Sequence, residues 1–142
     1  MRKAIVISLA MALLAACDTT PKKSEVDSVD YGPRPERWQE EIRNYLSIRL
    51  TDPKTAIVEF RAGPQKLYQR ETPLRKKQWG WGVCVWVNDK NKQGAYEGFY
   101  PMSVLIRSEK IEHVNGGPDD DNLVGSRYAR EHCEQLGAPF KK

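Results

Sequence analysis

The sequence predicts a small α+β domain: an antiparallel sheet of three to five strands, flanked by an N-terminal and a C-terminal helix and closed by one disulfide. Three observations lead there. Val83, Val85 and Val87 alternate with Cys84 and Trp86, the period of two that marks a half-buried or buried strand. Turn residues fill Asn88 to Gly94, and Tyr96, Phe99 and Tyr100 then open a second, aromatic-rich strand, so the unit reads as a β-hairpin. Helical periodicity lies on both sides of this middle, ending at Asp52-Pro53 and resuming after Asn115-Gly116-Gly117-Pro118.

The first helix opens at Pro35, where a missing N–H costs nothing. Trp38, Ile42, Tyr45, Leu46 and Arg49 recur at helical spacing, with Glu36, Glu40 and Glu41 early and Arg43 and Arg49 late, as the helix dipole favours. The residue before Pro53 resists helical angles and ends the helix near Leu50. Ile57-Val58-Glu59-Phe60 is a first strand stopped at Gly63-Pro64. Lys66-Leu67-Tyr68-Gln69 either extends it beyond a bulge or starts another. After the hairpin, Ser103 to Arg107 continues the second strand and Lys110 to Val114 makes a last one. Ser108-Glu109 is a tight turn without the usual glycine or asparagine. Val124, Tyr128, Ala129, Cys133 and Leu136 form the stripe of the second helix, stopped by Gly137 and Pro139. Because Cys133 lies on that stripe, the Cys84 side of the sheet is expected to be helix-covered, with the helices packed on one face.

The chain begins differently. Arg2 and Lys3 precede an apolar or small run from Ala4 to Ala16, broken only by Ser8 and too short to cross a bilayer as a mature helix. Its end, Leu14-Ala15-Ala16-Cys17, resembles the lipobox of bacterial lipoproteins. That resemblance implies cleavage after residue 16, lipid on Cys17 and a membrane attachment facing the periplasm. A plain secretory signal or an uncleaved anchor are the alternatives. Asp18 resembles the inner-membrane retention signal of enterobacterial lipoproteins, a rule that is not universal, so the choice of membrane stays open. Residues 17–34 hold only Val26, Val29 and Tyr31 as larger apolar side chains and read as a flexible tether, at about 3.3 Å per extended residue. Residues 35–142 are then the single folded domain.

With Cys17 carrying lipid, three cysteines leave Cys84 and Cys133 as an even pair in an oxidising compartment, and a disulfide between them is expected. Loop closure stabilises such a fold by up to roughly 4 kcal/mol. The alternative is a reactive Cys84 thiol with His132 as base. Without Arg2 and Lys3 the chain has 21 basic and 19 acidic residues, too small an excess to argue for nucleic acid.

Two stretches are candidate recognition surfaces. Between Lys66 and Trp81, Arg75, Lys76 and Lys77 sit beside Trp79 and Trp81, a mixture suited to an anionic headgroup or glycan; a solvated loop with docked tryptophans is the competing reading. Asn88, Lys90 and Asn91 with Gly94 and Gly98 are the other, where asparagine and glycine also serve left-handed turn angles. Asp119, Asp120, Asp121 and Asn122 suggest calcium but lack EF-hand spacing and suit a helix N-terminus. His113 and His132 have no further ligands at zinc spacing, so no metal and no cofactor are expected. No catalytic motif is present. A small envelope hydrolase using Glu97, Asp89 or His113 is the enzymatic alternative to a non-enzymatic lipoprotein that binds another envelope component.

Val83-Cys84, Val87-Asn88, Lys90-Asn91, Gly94, Tyr96 and Gly98-Phe99 resemble a hairpin pattern of small exported proteins and lipoproteins of Gram-negative bacteria. Leu50-Thr51-Asp52-Pro53-Lys54-Thr55-Ala56 resembles the segment that precedes it there. Val85 and Ala95 stand where that pattern has glycine. The resemblance implies export, paired cysteines and a small α+β domain, and carries no activity.

Overall fold

The computed structural model describes residues 20–118 and 123–141, Leu123 and Val124 by backbone only. The alternating valines lie in β2 (Gln78–Asn88), an inner strand of a four-stranded antiparallel meander. Its neighbours are β1 (Ile57–Gln69) and β3 (Tyr100–Arg107), and β4 (Lys110–Gly116) forms the far edge. Among the described residues, three helices accompany the sheet: α1 (Lys23–Asp27), α2 (Trp38–Ser47) and α3 (Leu123–Gln135). The expected α+β architecture with flanking helices and one disulfide is therefore observed. β1 is continuous across register shifts between Phe60 and Gln65, around Gly63-Pro64, which settles the open choice in favour of a bulged extension.

The helices do not share one face. Val83, Val85 and Val87 join Met102, Val104 and Ile106 on the side covered by Ile42 and Leu46 of α2 and by Leu50 beyond it. Cys84 and Leu105 point the other way, with Leu67, against Cys133 of α3 and Leu136. The one-face expectation is thus corrected, and the reason lies in β2 itself: Val83 and Cys84 are both fully buried, so both parities of the strand need cover. The Cys84–Cys133 disulfide, with Cα atoms 5.1 Å apart, ties α3 to the second face. After α3, Gly137 takes a φ of 79° and the Ala138 N–H donates to the Cys133 carbonyl at 2.8 Å, closing the helix end.

The turn between β3 and β4 is tight and left-handed, with φ of 49° at Ser108 and 60° at Glu109. Non-glycine residues carry strain there, and Glu109 has a reason to be present. Its carboxylate accepts the backbone N–H groups of Glu36 and Arg37 at 2.9 and 3.3 Å. Arg37 precedes α2 and caps nothing with its own side chain. A residue 73 positions beyond Glu36 in the chain therefore supplies the anionic cap that the helix start favours.

Residues 20–34 depart most from expectation. The stretch read as tether contains α1, and Tyr31 is only 4 % exposed. Trp81 meets Tyr31 edge-on with ring centroids 6.2 Å apart. The Trp79 and Trp81 indoles donate to the carbonyls of Asp30 and Gly32 at 3.1 and 3.2 Å. Glu25 pairs with Arg70 at 3.1 Å. Few apolar residues suffice here because the segment covers the end of the sheet face that α2 does not reach, using one aromatic side chain and its own backbone carbonyls. Cys17 lies outside the described residues.

Candidate recognition surface

The two stretches singled out in the sequence sit toward opposite ends of β2, with about 23 Å of strand between Trp81 and Asn88. They cannot form one surface.

At the β1–β2 end, three of the five named residues have structural partners. Arg75 is ion-paired to Glu131 of α3 at 2.7 Å and its guanidinium stacks 3.5 Å from the Tyr128 ring centre. Burial alone would raise the Glu131 carboxyl, but hydrogen bonds from Arg75 and Arg127 bring it below the usual value. Trp79 and Trp81 hold the N-terminal segment. Lys76 and Lys77 stay exposed, Lys77 with its ammonium 5.1 Å from the Trp79 ring centre. Pro73 and Leu74 form the tip of the connection, closed by backbone bonds between Thr72 and Arg75.

At the other end, the connection from Asp89 to Phe99 is longer than the expected turn, and β3 begins at Tyr100 rather than Tyr96. Its shape is made by asparagines. Asn91 Oδ1 accepts the N–H groups of Gln93 and Ala95, both at 3.0 Å, while its Nδ2 donates to Glu97 at 2.9 Å. Asn88 Oδ1 accepts the Gly98 N–H at 3.2 Å. The Tyr96 hydroxyl donates to the Thr55 carbonyl at 2.7 Å, and Lys90 lies 5.5 Å from the Tyr96 ring centre. Asn88 and Asn91 are thus committed to the loop, and Lys90 is the named residue whose ammonium the loop does not need.

This loop forms one wall of a groove of about 790 Å³, whose other walls include Arg49 and Thr51 beyond α2, Gly116 at the end of β4 with Gly117 and Pro118 after it, and Ser126 of α3. Asp89, Lys90, Lys92 and Glu97 line it, so its charge is mixed. His113, the third residue of the hydrolase reading, instead donates to Asn115 at 3.2 Å and is absent from the groove lining. The acidic run Asp119 to Asp121 with Asn122 falls outside the described residues; among those described, no three metal-ligating side chains converge.

A third set of residues was not legible in the sequence. Gln69 of β1, Ser103 of β3, Asn115 of β4 and His132 of α3 form a chain of polar side chains buried between α3 and the sheet. Gln69 donates through Nε2 to the Lys76 carbonyl at 2.8 Å, so its Oε1 faces His132 Nε2 at 3.0 Å. That contact puts the imidazole proton on Nε2. Nδ1 then accepts from the Ser103 hydroxyl at 3.0 Å, and Asn115 Nδ2 donates to Ser103 Oγ at 3.4 Å. Burial, helped by the nearby Arg75 charge, pushes the His132 pKa down to about 4. The Ser–His–Asn grouping has no accessible edge for a substrate. Cys84, locked in its disulfide, offers no thiol for His132 to activate. Its signal would have been polar residues on otherwise apolar faces, which only the faces themselves reveal.

No protein-family model, curated protein or solved structure matches the chain.

Proposed function

We propose that this chain is an envelope lipoprotein, attached through lipid on Cys17 and facing the periplasm, whose domain binds another envelope component without catalysing a reaction. The observation that carries this reading is the cysteine pairing. Cys84 and Cys133 are bridged, which suits an oxidising compartment and leaves Cys17, at the boundary between apolar run and polar chain, as the cysteine outside the bridge. The likeness to small exported proteins of Gram-negative bacteria points the same way.

For the contact with a protein partner, the groove beside the Asp89–Phe99 loop is the best surface, because a scaffold-fixed loop presents Lys90 and Lys92 in a concave setting. The anionic headgroup or glycan reading of Lys66 to Trp81 keeps Lys76 and Lys77 and gives up Arg75, Trp79 and Trp81. Two measurements test the proposal. Mass spectrometry of the mature N-terminal peptide should find a diacylglyceryl and an acyl group on Cys17, and Cys17→Ala should release the protein from membranes. A photocrosslinking residue at Lys90 should capture one abundant envelope protein. An unmodified Cys17 in membrane-free protein refutes the anchoring, and adducts confined to lipid refute the groove as a protein contact.

A further inference from the structure

The N-terminal segment runs along the sheet in a defined direction. Asp30 sits at Trp79 and Gly32 at Trp81, so moving back toward the N-terminus leads to the β1–β2 connection. Glu25, bonded to Arg70, confirms that direction. Thr20 is five residues before Glu25, and only three residue steps separate it from Cys17, a reach of about 10 Å at full extension. A lipid on Cys17 therefore holds the β1–β2 end of the domain, and not the groove end, against the bilayer.

That end is suited to such a surface. Leu74 is 92 % exposed, the most exposed large apolar side chain among the described residues, and it stands at the tip of the connection beside exposed Pro73. Lys76 and Lys77 flank it, and Lys22 and Lys23 lie on the segment leading to the anchor. The neighbouring carboxylates are mostly engaged: Asp27 by Lys23, Glu25 by Arg70 and Glu131 by Arg75. Glu71 opposes the remaining cations at the tip, and Glu134 lies on the α3 side. We propose that Leu74 inserts into the anionic phospholipid surface that holds the anchor, with Lys22, Lys76 and Lys77 on its headgroups. Such lysines are drawn to the negative surface potential of an anionic membrane. The anchor makes this contact intramolecular, so weak individual contacts suffice. The groove, at the far end of β2, then faces away from the membrane. This inference rests on the lipoprotein reading.

The test uses full-length protein processed in cells, reconstituted into vesicles of phosphatidylethanolamine and phosphatidylglycerol. An environment-sensitive fluorophore is attached at Leu74→Cys or, for comparison, at Ile48→Cys, which is 78 % exposed and lies just after α2, at the groove end. The label at position 74 should shift to the blue and be quenched by lipid-phase quenchers, and the label at 48 should do neither. Replacing phosphatidylglycerol by phosphatidylcholine, or introducing Lys76→Glu with Lys77→Glu, should reverse most of the shift. Protein that floats with the vesicles while position 74 reports water overturns the docking and leaves the anchor intact. Protein that does not float and lacks lipid on Cys17 overturns the anchor and the docking together. A label that reports water on vesicles but is shielded in the native envelope assigns the tip to a protein or cell-wall occupant, which also overturns the proposal.

Discussion

His132 is kept neutral by its surroundings. Its folded pKa of about 4 lies below the ordinary 6.5, so the unfolded chain binds the proton first. The stabilisation is full above about pH 6.5 and is lost as pH falls from there toward about 4, by roughly 3 kcal/mol in total. Arg75 and His113 add to the depression and Glu131 opposes it. Urea midpoints measured across this window should fall for the native chain, and His132→Gln should flatten that part of the profile. Glycines provide a second prediction at this scale. Gly94 and Gly116 both have positive φ, but a Cβ at Gly94 meets nothing, whereas one at Gly116 lies 2.5 Å from the Pro101 carbonyl and 3.0 Å from the Ala129 Cβ. Gly94→Ala should cost about 1 kcal/mol, and Gly116→Ala should exceed it by about 1–3 kcal/mol in chemical denaturation.

Among the elements, α2 depends on a residue outside itself. Glu109→Ala removes the acceptor for two N–H groups and should lower stability by about 1 kcal/mol. Glu109→Gly should relieve the turn while still losing the cap, so its loss should be smaller. Thermal melts of the two variants check the order. Helix α3 depends on the disulfide: replacing Cys84 and Cys133 together by alanine should cost up to about 4 kcal/mol, since the bridge closes a separation of 49 residues. Both helices were legible because their apolar residues recur at local spacing, and β2 because Val83 to Val87 alternate. The faces they occupy were not, since Val83 and Cys84 are each apolar and the sequence does not say which meets Ile42 and which meets Leu136. Nor was the cap, because Glu36 and Glu109 are joined only by the fold.

Over the whole molecule, the order β1-β2-β3-β4 followed from hairpin signals, while the part played by residues 20–34 did not. Tyr31 finds Trp81 fifty positions away, and nothing in the polar residues around it announces the contact. The same distance problem hid the buried chain of Gln69, Ser103, Asn115 and His132, whose members come from four elements. Tyr31→Ala should cost about 3 kcal/mol and make Trp79 and Trp81 more accessible to aqueous quenchers, which fluorescence would measure directly. An unchanged stability would mean that the segment rests on the sheet without contributing to it.

The bridge between β2 and α3 also orders events in time. Cys84 is made when two strands exist, and its partner arrives only after the meander is complete. A chain halted before α3 lacks Cys133, so Cys84 keeps a free thiol and the residues that pack with it, Leu67 and Leu105, lack their cover. The oxidation state of Cys84 is therefore a completeness mark. Thiol-reactive reagents would sort unfinished or clipped molecules from finished ones without reference to what the finished ones bind.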